Sequence, residues 1–259
     1  MIGRIKIICL AMIVVVTSSQ PVADAKDEKA NDINNKKVAI VIDDFGNNMA
    51  GTEEIMSMPI PLTVAIMPFQ PTTKRDAEWA HLEGHEVLVH LPMEPLNGKR
   101  GLGPGAITSD LTDEEIHRRV RAAIDDVPYA VGINNHMGSK ATANTRIMKA
   151  VLEVCKERGL FFLDSKTNYW SVVSDVAEQV GVLVIENQIF LDDISTKHHI
   201  LKQLKLLNHH LSDHNSCIAI GHVGRPGKNT AFILKASYPE IMKVANFVPI
   251  SKLLPQKPS

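Results

Sequence analysis

The sequence is short of cysteine: Cys9, Cys155 and Cys217 are all it has in 259 residues, so a fold stapled by a disulfide framework is excluded by count. Excess charge of either sign is also missing, with 28 basic residues against 29 acidic ones. A chain so balanced has no electrostatic footprint for nucleic acid or an anionic membrane, and neither partner is expected. The apolar run from Ile7 to Val16 is too short to span a bilayer, which takes roughly 20 residues. No Gly-rich loop precedes a Lys-Ser or Lys-Thr pair, which argues against a nucleotide substrate. Internal repeats and low-complexity segments do not stand out either.

What the chain does hold begins with an address. MIGRIKIICLAMIVVVTSSQPVADA carries Arg4 and Lys6, then the apolar run, then the small-x-small site Ala23-Asp24-Ala25. Residues 1–25 therefore read as a secretory signal peptide, with an uncleaved anchor as the alternative. Cleavage would leave no stable membrane span and would send the protein to the periplasm or outside the cell, as part of a bacterial envelope. Cys9 lacks the small residues that a lipoprotein cut needs before it. Loss of Arg4, Lys6 and Asp24 leaves a net charge of about −2. Residues 26–36, KDEKANDINNK, have almost nothing to bury and read as a flexible polar lead-in. The folded domain is expected over 37–254, with a short tail at 255–259. Cys155 and Cys217 fall in apolar patterns and read as unpaired core thiols, although the compartment permits a disulfide.

From Lys37 onward, short Val/Ile/Phe-rich runs alternate with helical patterns, as in strand-helix units around a parallel sheet. The strand candidates are 38–43, 62–68, 86–92, 130–135, 160–165, 182–192 (one piece or two) and 217–223, with 247–250 as a closing strand. Helical stretches between them start on Thr or Asn caps, and several end on Gly; Thr112 with Glu115 has the spacing of a capping box. Seven or eight such units in one stretch predict a single α/β domain, a distorted (β/α)7-type barrel, with an open doubly wound sheet as the alternative.

Polar residues recur at the ends of these strands, where loops converge in parallel α/β folds. Strand one ends in Asp43-Asp44, strand three in His90, strand four in Asn134-Asn135-His136, strand five in Asp164, the 182–192 run in Asp192-Asp193 and strand seven in His222. A single strand-end Asp is usually a helix cap, and Asp164 and Asp192-Asp193 each precede a helix. Recurrence on most strands implies a convergent cluster. Carboxylate oxygen and imidazole nitrogen without a nearby thiolate suit Zn2+ or another divalent metal in an open, catalytic site. A bound water would then be activated by a neighbouring carboxylate. The histidines at 198, 199, 209, 210 and 214 read instead as a solvated helix face. His222 followed by Gly-Arg-Pro-Gly reads as a mobile active-site loop, and Trp170 as a sugar-stacking wall or a core residue.

At these residues the sequence resembles the divergent polysaccharide deacetylases, a branch of the NodB-like carbohydrate esterases. The resemblance runs from about Lys37 to Leu254 through VIDDFG, GHEVLVHLPMEP, GINNHMGS, FFLDSKT and IAIGHVGRP. It implies a NodB-like deacetylase barrel with Asp43 as catalytic base, Asp44 as metal ligand, His90 as second ligand and His222 as general acid. Asp164 matches a motif that orients the base or supports the site. Where the family pattern wants a second His four residues after His90, this chain has Glu94. The resemblance therefore leaves the third ligand open between His136 and Glu94, with His136 favoured. Asn135, Arg225 and Trp170 are the candidate substrate contacts. The implied reaction is hydrolysis of an acetyl group on a polysaccharide, a metal-dependent hydrolase acting on C–N bonds. A non-catalytic glycan- or protein-binding protein on the same barrel is the rival.

Overall fold

A computed structural model describes residues 36–98 and 101–255. The expected signal peptide and most of the lead-in and tail lie outside the described residues. Among the described residues, nine parallel strands form one sheet: β1 (Lys37–Phe45), β2 (Thr63–Ile66), β3 (Glu86–Met93), β4 (Ala130–Met137), β5 (Phe161–Asp164), β6 (Val184–Glu186), β7 (Ile189–Phe190), β8 (Ser216–His222) and β9 (Asn246–Phe247). Their order is β6-β5-β4-β3-β2-β1-β8-β7, with β9 paired to β1. The sheet curls into an open barrel. The 182–192 run is two strands, β6 and β7, that do not pair with each other. Across the gap Asn187 N–H donates to the Asp164 carbonyl at 3.0 Å on one side, and Gln188 N–H to the Ile218 carbonyl at 3.2 Å on the other.

Among the described residues, seven helices cover the outside: α1 (Thr52–Met56), α2 (Thr73–Leu82), α3 (Asp113–Asp126), α4 (Thr145–Arg158), α5 (Val173–Val180), α6 (Lys197–Asp213) and α7 (Gly227–Ile241). Local chemistry sets several of their ends. The Asn144 side chain accepts from Ile147 N–H at 3.2 Å and Thr196 from His199 N–H at 3.2 Å, while Gly159 and Gly181 end α4 and α5 in the left-handed region. The capping box at Thr112 is half made. Its hydroxyl accepts from Glu115 N–H at 3.3 Å, but the Glu115 carboxylate turns to Arg118 and Arg119. The segment after His222 is not a long loop: α7 starts at Gly227, whose missing side chain lets its backbone press on the Ala50 carbonyl. None of the described helices is long and apolar enough to cross a membrane. Cys155 and Cys217 are buried free thiols, and burial pushes both pKa values up to about 12.

Strand pleating sorts the core into two layers, because successive side chains face opposite sides. Ala39, Val41, Ala65, Leu88, Phe161, Leu163, Ile218 and Ile220 fill the barrel, plugged by Ile250. Val38, Ile40, Ile42, Val64, Val87, Val89, Ile133, Phe162 and Cys217 face the helices. Gly132 leaves the space that the Phe161 ring occupies inside the barrel; a Cβ there would sit 2.7 Å from it. Ile250 N–H donates to Thr63 and Ser251 N–H to Glu86, both at 3.0 Å, which closes the end where the strands begin. The opposite end stays open.

Candidate active site

Continuing the inward parity past the apolar layer predicts which polar side chains meet at the open end. Beyond Val41 comes Asp43, beyond Leu88 comes His90, and beyond Ile220 comes His222. On β4, Asn134 stands in register with His90, and His136 two residues on shares its face. Asp43 stands in register with His222. These are the groups that converge.

Asp44 should point the other way, and its backbone explains why it does not. Its φ is 71°, in the left-handed region that Asp tolerates better than most residues. Between Ile42 and Phe45 the pairing with β2 slips at a bulge, so one extra residue is accommodated on β1. Bulge and left-handed turn together swing the Asp44 carboxylate inward beside Asp43.

Three donor atoms then form a tight triangle. His136 Nδ1 lies 3.0 Å from Asp44 Oδ1, His90 Nε2 lies 3.3 Å from the same oxygen, and the two nitrogens are 3.0 Å apart. Buried Asp44 Oδ1 is aligned with no hydrogen-bond donor. Ligand atoms about 2.0–2.1 Å from a shared cation would stand roughly 3 Å apart. The donor set, its spacing and the orphaned oxygen therefore fit a divalent metal. Among the described residues this is the one group of carboxylates and imidazoles so placed. Of the five histidines expected on a solvated helix face, His198, His209 and His214 are exposed on or just past α6, whereas His199 and His210 are half-buried.

Around the triangle, Asn134 donates from Nδ2 to Asp43 Oδ1 at 2.9 Å and faces His90 Nδ1 with its Oδ1 at 2.8 Å. Burial raises the Asp43 pKa and outweighs the lowering by His90, His222 and Asn134. Burial also opposes ionisation of Asp44, but His136 and His90 hold its carboxyl well below the usual range. On the far wall, His222 Nδ1 is 2.7 Å from Asp192 Oδ1, while Asp192 Oδ2 accepts from His222 N–H at 2.8 Å and from Thr230 Oγ1 at 2.6 Å. Burial lowers the His222 pKa, yet the Asp192 bond and the charges of Asp43, Asp192 and Asp44 lift it to about 9.

Two residues whose roles the sequence leaves open, Glu94 and Asp164, lie outside the triangle. Glu94 stays out of the triangle: its carboxylate accepts from Ser109 N–H at 2.7 Å and pairs with Lys140 at 3.1 Å. Burial pushes its pKa up, but the bonds from Ser109 and Lys140 prevail and hold it at about 2. Asp164 does not touch Asp43. It follows Phe162 on the helix-facing side and accepts from Lys166 N–H at 2.8 Å and Ser171 Oγ at 2.6 Å, as a loop cap does. Ser165, next along, faces the cleft.

A cavity of about 200 Å³ lies over the triangle, lined by Asp43, His90, Asn135, Ser165, Phe190 and His222 among others. Asn135 borders it while its side chain is tied to Met137 O at 2.6 Å and Ser165 N–H at 3.0 Å. Trp170 is 73% exposed beside Tyr169 at 97%, so it is no core residue. Arg225 is exposed on the short link to α7.

The family model of the divergent polysaccharide deacetylases matches residues 40–254. The chain belongs to this family. Its relatives include the Escherichia coli (strain K12) protein YibQ, 41% identical over 72% of this chain and 58% of that one. A Haemophilus influenzae Rd protein is 35% identical over 86% of this chain and 80% of its own. This chain thus spans little more than half of YibQ. Among solved structures, an Agrobacterium tumefaciens C58 protein superposes with a TM-score of 0.79 at 21% identity, covering 85% of this chain and 89% of that one. A putative cellobiose-phosphate cleavage protein of Enterococcus faecalis V583 gives 0.60 at 15% identity, covering 85% and 99%. These two show the fold alone, a curled parallel sheet with helices outside it.

Asn134 and Asp192 are the site residues that sequence reasoning undervalued. Asn135 borders the cavity, whereas Asn134, two residues before His136, shares its face. Asp192 competes with a capping role in sequence, and only the 30-residue separation closed in space pairs it with His222.

Proposed function

We propose that the chain is an exported, metal-dependent hydrolase that removes N- or O-acetyl groups from an envelope or extracellular polysaccharide. The observation that carries this reading is the Asp44-His90-His136 triangle with Asp43 on one side and His222 on the other. A cation held by these three residues, zinc or another divalent metal, would supply the Lewis acid that polarises the acyl carbonyl.

The chain's own groups do the proton work. Asp43 takes a proton from water as the water oxygen bonds to the acyl carbon. His222, protonated at neutral pH, gives its proton to the sugar nitrogen or oxygen as the bond from the acyl carbon to that atom breaks. Acetate and the free amine or alcohol leave, and solvent exchange restores both residues. Asp192 holds the imidazole in place and stabilises its charge. The exposed Tyr169-Trp170 pair and Arg225 are the sugar-side contacts, since aromatic faces suit pyranose rings and a guanidinium suits hydroxyl or carboxylate groups. Export rests on the signal pattern in residues 1–25.

The rival, an envelope protein that binds without turnover, drew on the missing second His of the family motif. His136 stands at that corner of the triangle, which favours the hydrolase over the rival. Measuring bound zinc and acetate release from acetylated glycans decides between them. Stoichiometric metal with release abolished by Asp43→Asn supports the hydrolase. Absence of metal together with glycan binding unaffected by Asp43→Asn supports the rival.

A further inference from the structure

We propose that Asn134 is a positioning residue that fixes two functional states at once: it aims the Asp43 carboxylate and selects the His90 tautomer that can bind a metal. The inference deepens the hydrolase reading and rests on it for the metal. Asn134 is fully buried, so no water replaces either of its partners. Its amide lies between Asp43 Oδ1 at 2.9 Å and His90 Nδ1 at 2.8 Å. A carboxylate only accepts, so the NH₂ end of the amide must face Asp43. The carbonyl end then faces His90 and only accepts as well, so Nδ1 must carry the ring proton.

In a neutral imidazole the other nitrogen, Nε2, is then left with its lone pair. Nε2 is the atom 3.0 Å from His136 Nδ1 and 3.3 Å from Asp44 Oδ1, at the corner of the triangle. Flipping the amide would set its oxygen against the Asp43 carboxylate and its NH₂ against a ring nitrogen, and His90 would then carry its proton on Nε2, toward the cation position. One side chain thereby ties the orientation of the base to the readiness of a ligand. Neither Ala nor Leu at 134 can do this, and Asp can do only half: it still accepts from His90 but repels Asp43.

Two variants of the full chain, Asn134→Ala and Asn134→Asp, separate the halves. In the metal-free protein, nitrogen-15 NMR of the imidazole rings reads the His90 tautomer, with His90→Gln assigning the signal. Read at alkaline pH, where the ring is neutral, the wild type is expected to show His90 protonated on Nδ1 and Asn134→Ala a mixture of tautomers. Zinc titration should show Asn134→Ala weakened about 10- to 100-fold, the usual effect of losing a ligand's supporting bond. Asn134→Asp should hold zinc within a few-fold of wild type while kcat falls at least tenfold, because only the Asp43 half is broken. Thermal melting checks that each variant folds; if Asn134→Ala does not, Asn134→Leu replaces it. An Nδ1-protonated His90 and unchanged zinc affinity in the Ala or Leu variant overturn the proposal. The tautomer is read without metal or substrate, so failure of the wild type to bind zinc would sink the hydrolase reading, while an Nδ1-protonated His90 in the Ala or Leu variant would still overturn the role of Asn134.

Discussion

The ends of β1 and β5 look alike in sequence and behave differently in the fold. Each finishes an apolar run with an acid, Asp43-Asp44 on one and Asp164 on the other. At β1 the bulge and the φ of 71° at Asp44 bring both carboxylates to the barrel mouth. At β5 no bulge intervenes, so Asp164 follows Phe162 to the helix side and spends its oxygens on Lys166 and Ser171. Strand-end position alone does not make a site residue. Pleat parity, and the local irregularity that breaks it, decides.

Substitutions at these acids test the contrast, and the largest effect is expected at Asp44. Asp44→Asn keeps a residue that tolerates the left-handed turn but removes the anionic ligand. Bound zinc measured by plasma mass spectrometry should fall well below one per chain, and acetate release should vanish with it. Asp43→Asn should retain the metal and lose about 10²–10⁴ in kcat, the usual worth of a general base.

A smaller effect is expected at Asp192, which acts through His222. The raised pKa of His222 means the acid is protonated at neutral pH and is lost as pH rises through about 9. Wild-type kcat/KM should therefore fall on the alkaline side near that value. In Asp192→Asn the limb should move to lower pH, since the Asp192 bond and charge are what lift His222 against its burial. An unmoved limb would mean that another group sets it.

The smallest functional effect is expected at Asp164. Asp164→Ala should cost about 1–3 kcal/mol in urea unfolding, because the Lys166 N–H and Ser171 hydroxyl lose their partner. Zinc content should not change. Metal loss in this variant, with the fold intact, would break the contrast between the two strand ends.

Much of this is legible in the sequence. Alternating runs and caps gave the strand-helix order, and His90, His136, Asp43, Asp44 and His222 were all identifiable as strand-end polar groups. Helices α1 and α7 were not picked out: the first is one short turn, and the second begins in Gly-Arg-Pro-Gly, whose composition suggests a loop. The choice between Glu94 and His136 stayed open because it depends on which face of β3 and its following loop meets β4. Parity could not be read because these strands are buried on both faces, so inward and outward positions are equally apolar.

The sequence by itself determined the family, the parallel α/β plan and the stock of carboxylates and imidazoles at one end of the sheet, since these follow from periodicity, capping and motif. The tertiary structure decided which of them meet. His136 joins His90 through the register of β3 and β4, Asp44 joins Asp43 through a bulge, and Asp192 reaches His222 across the curled edge of the sheet. Each of these depends on side-chain direction and on distances between strands far apart in sequence, which a local pattern of residue types does not encode.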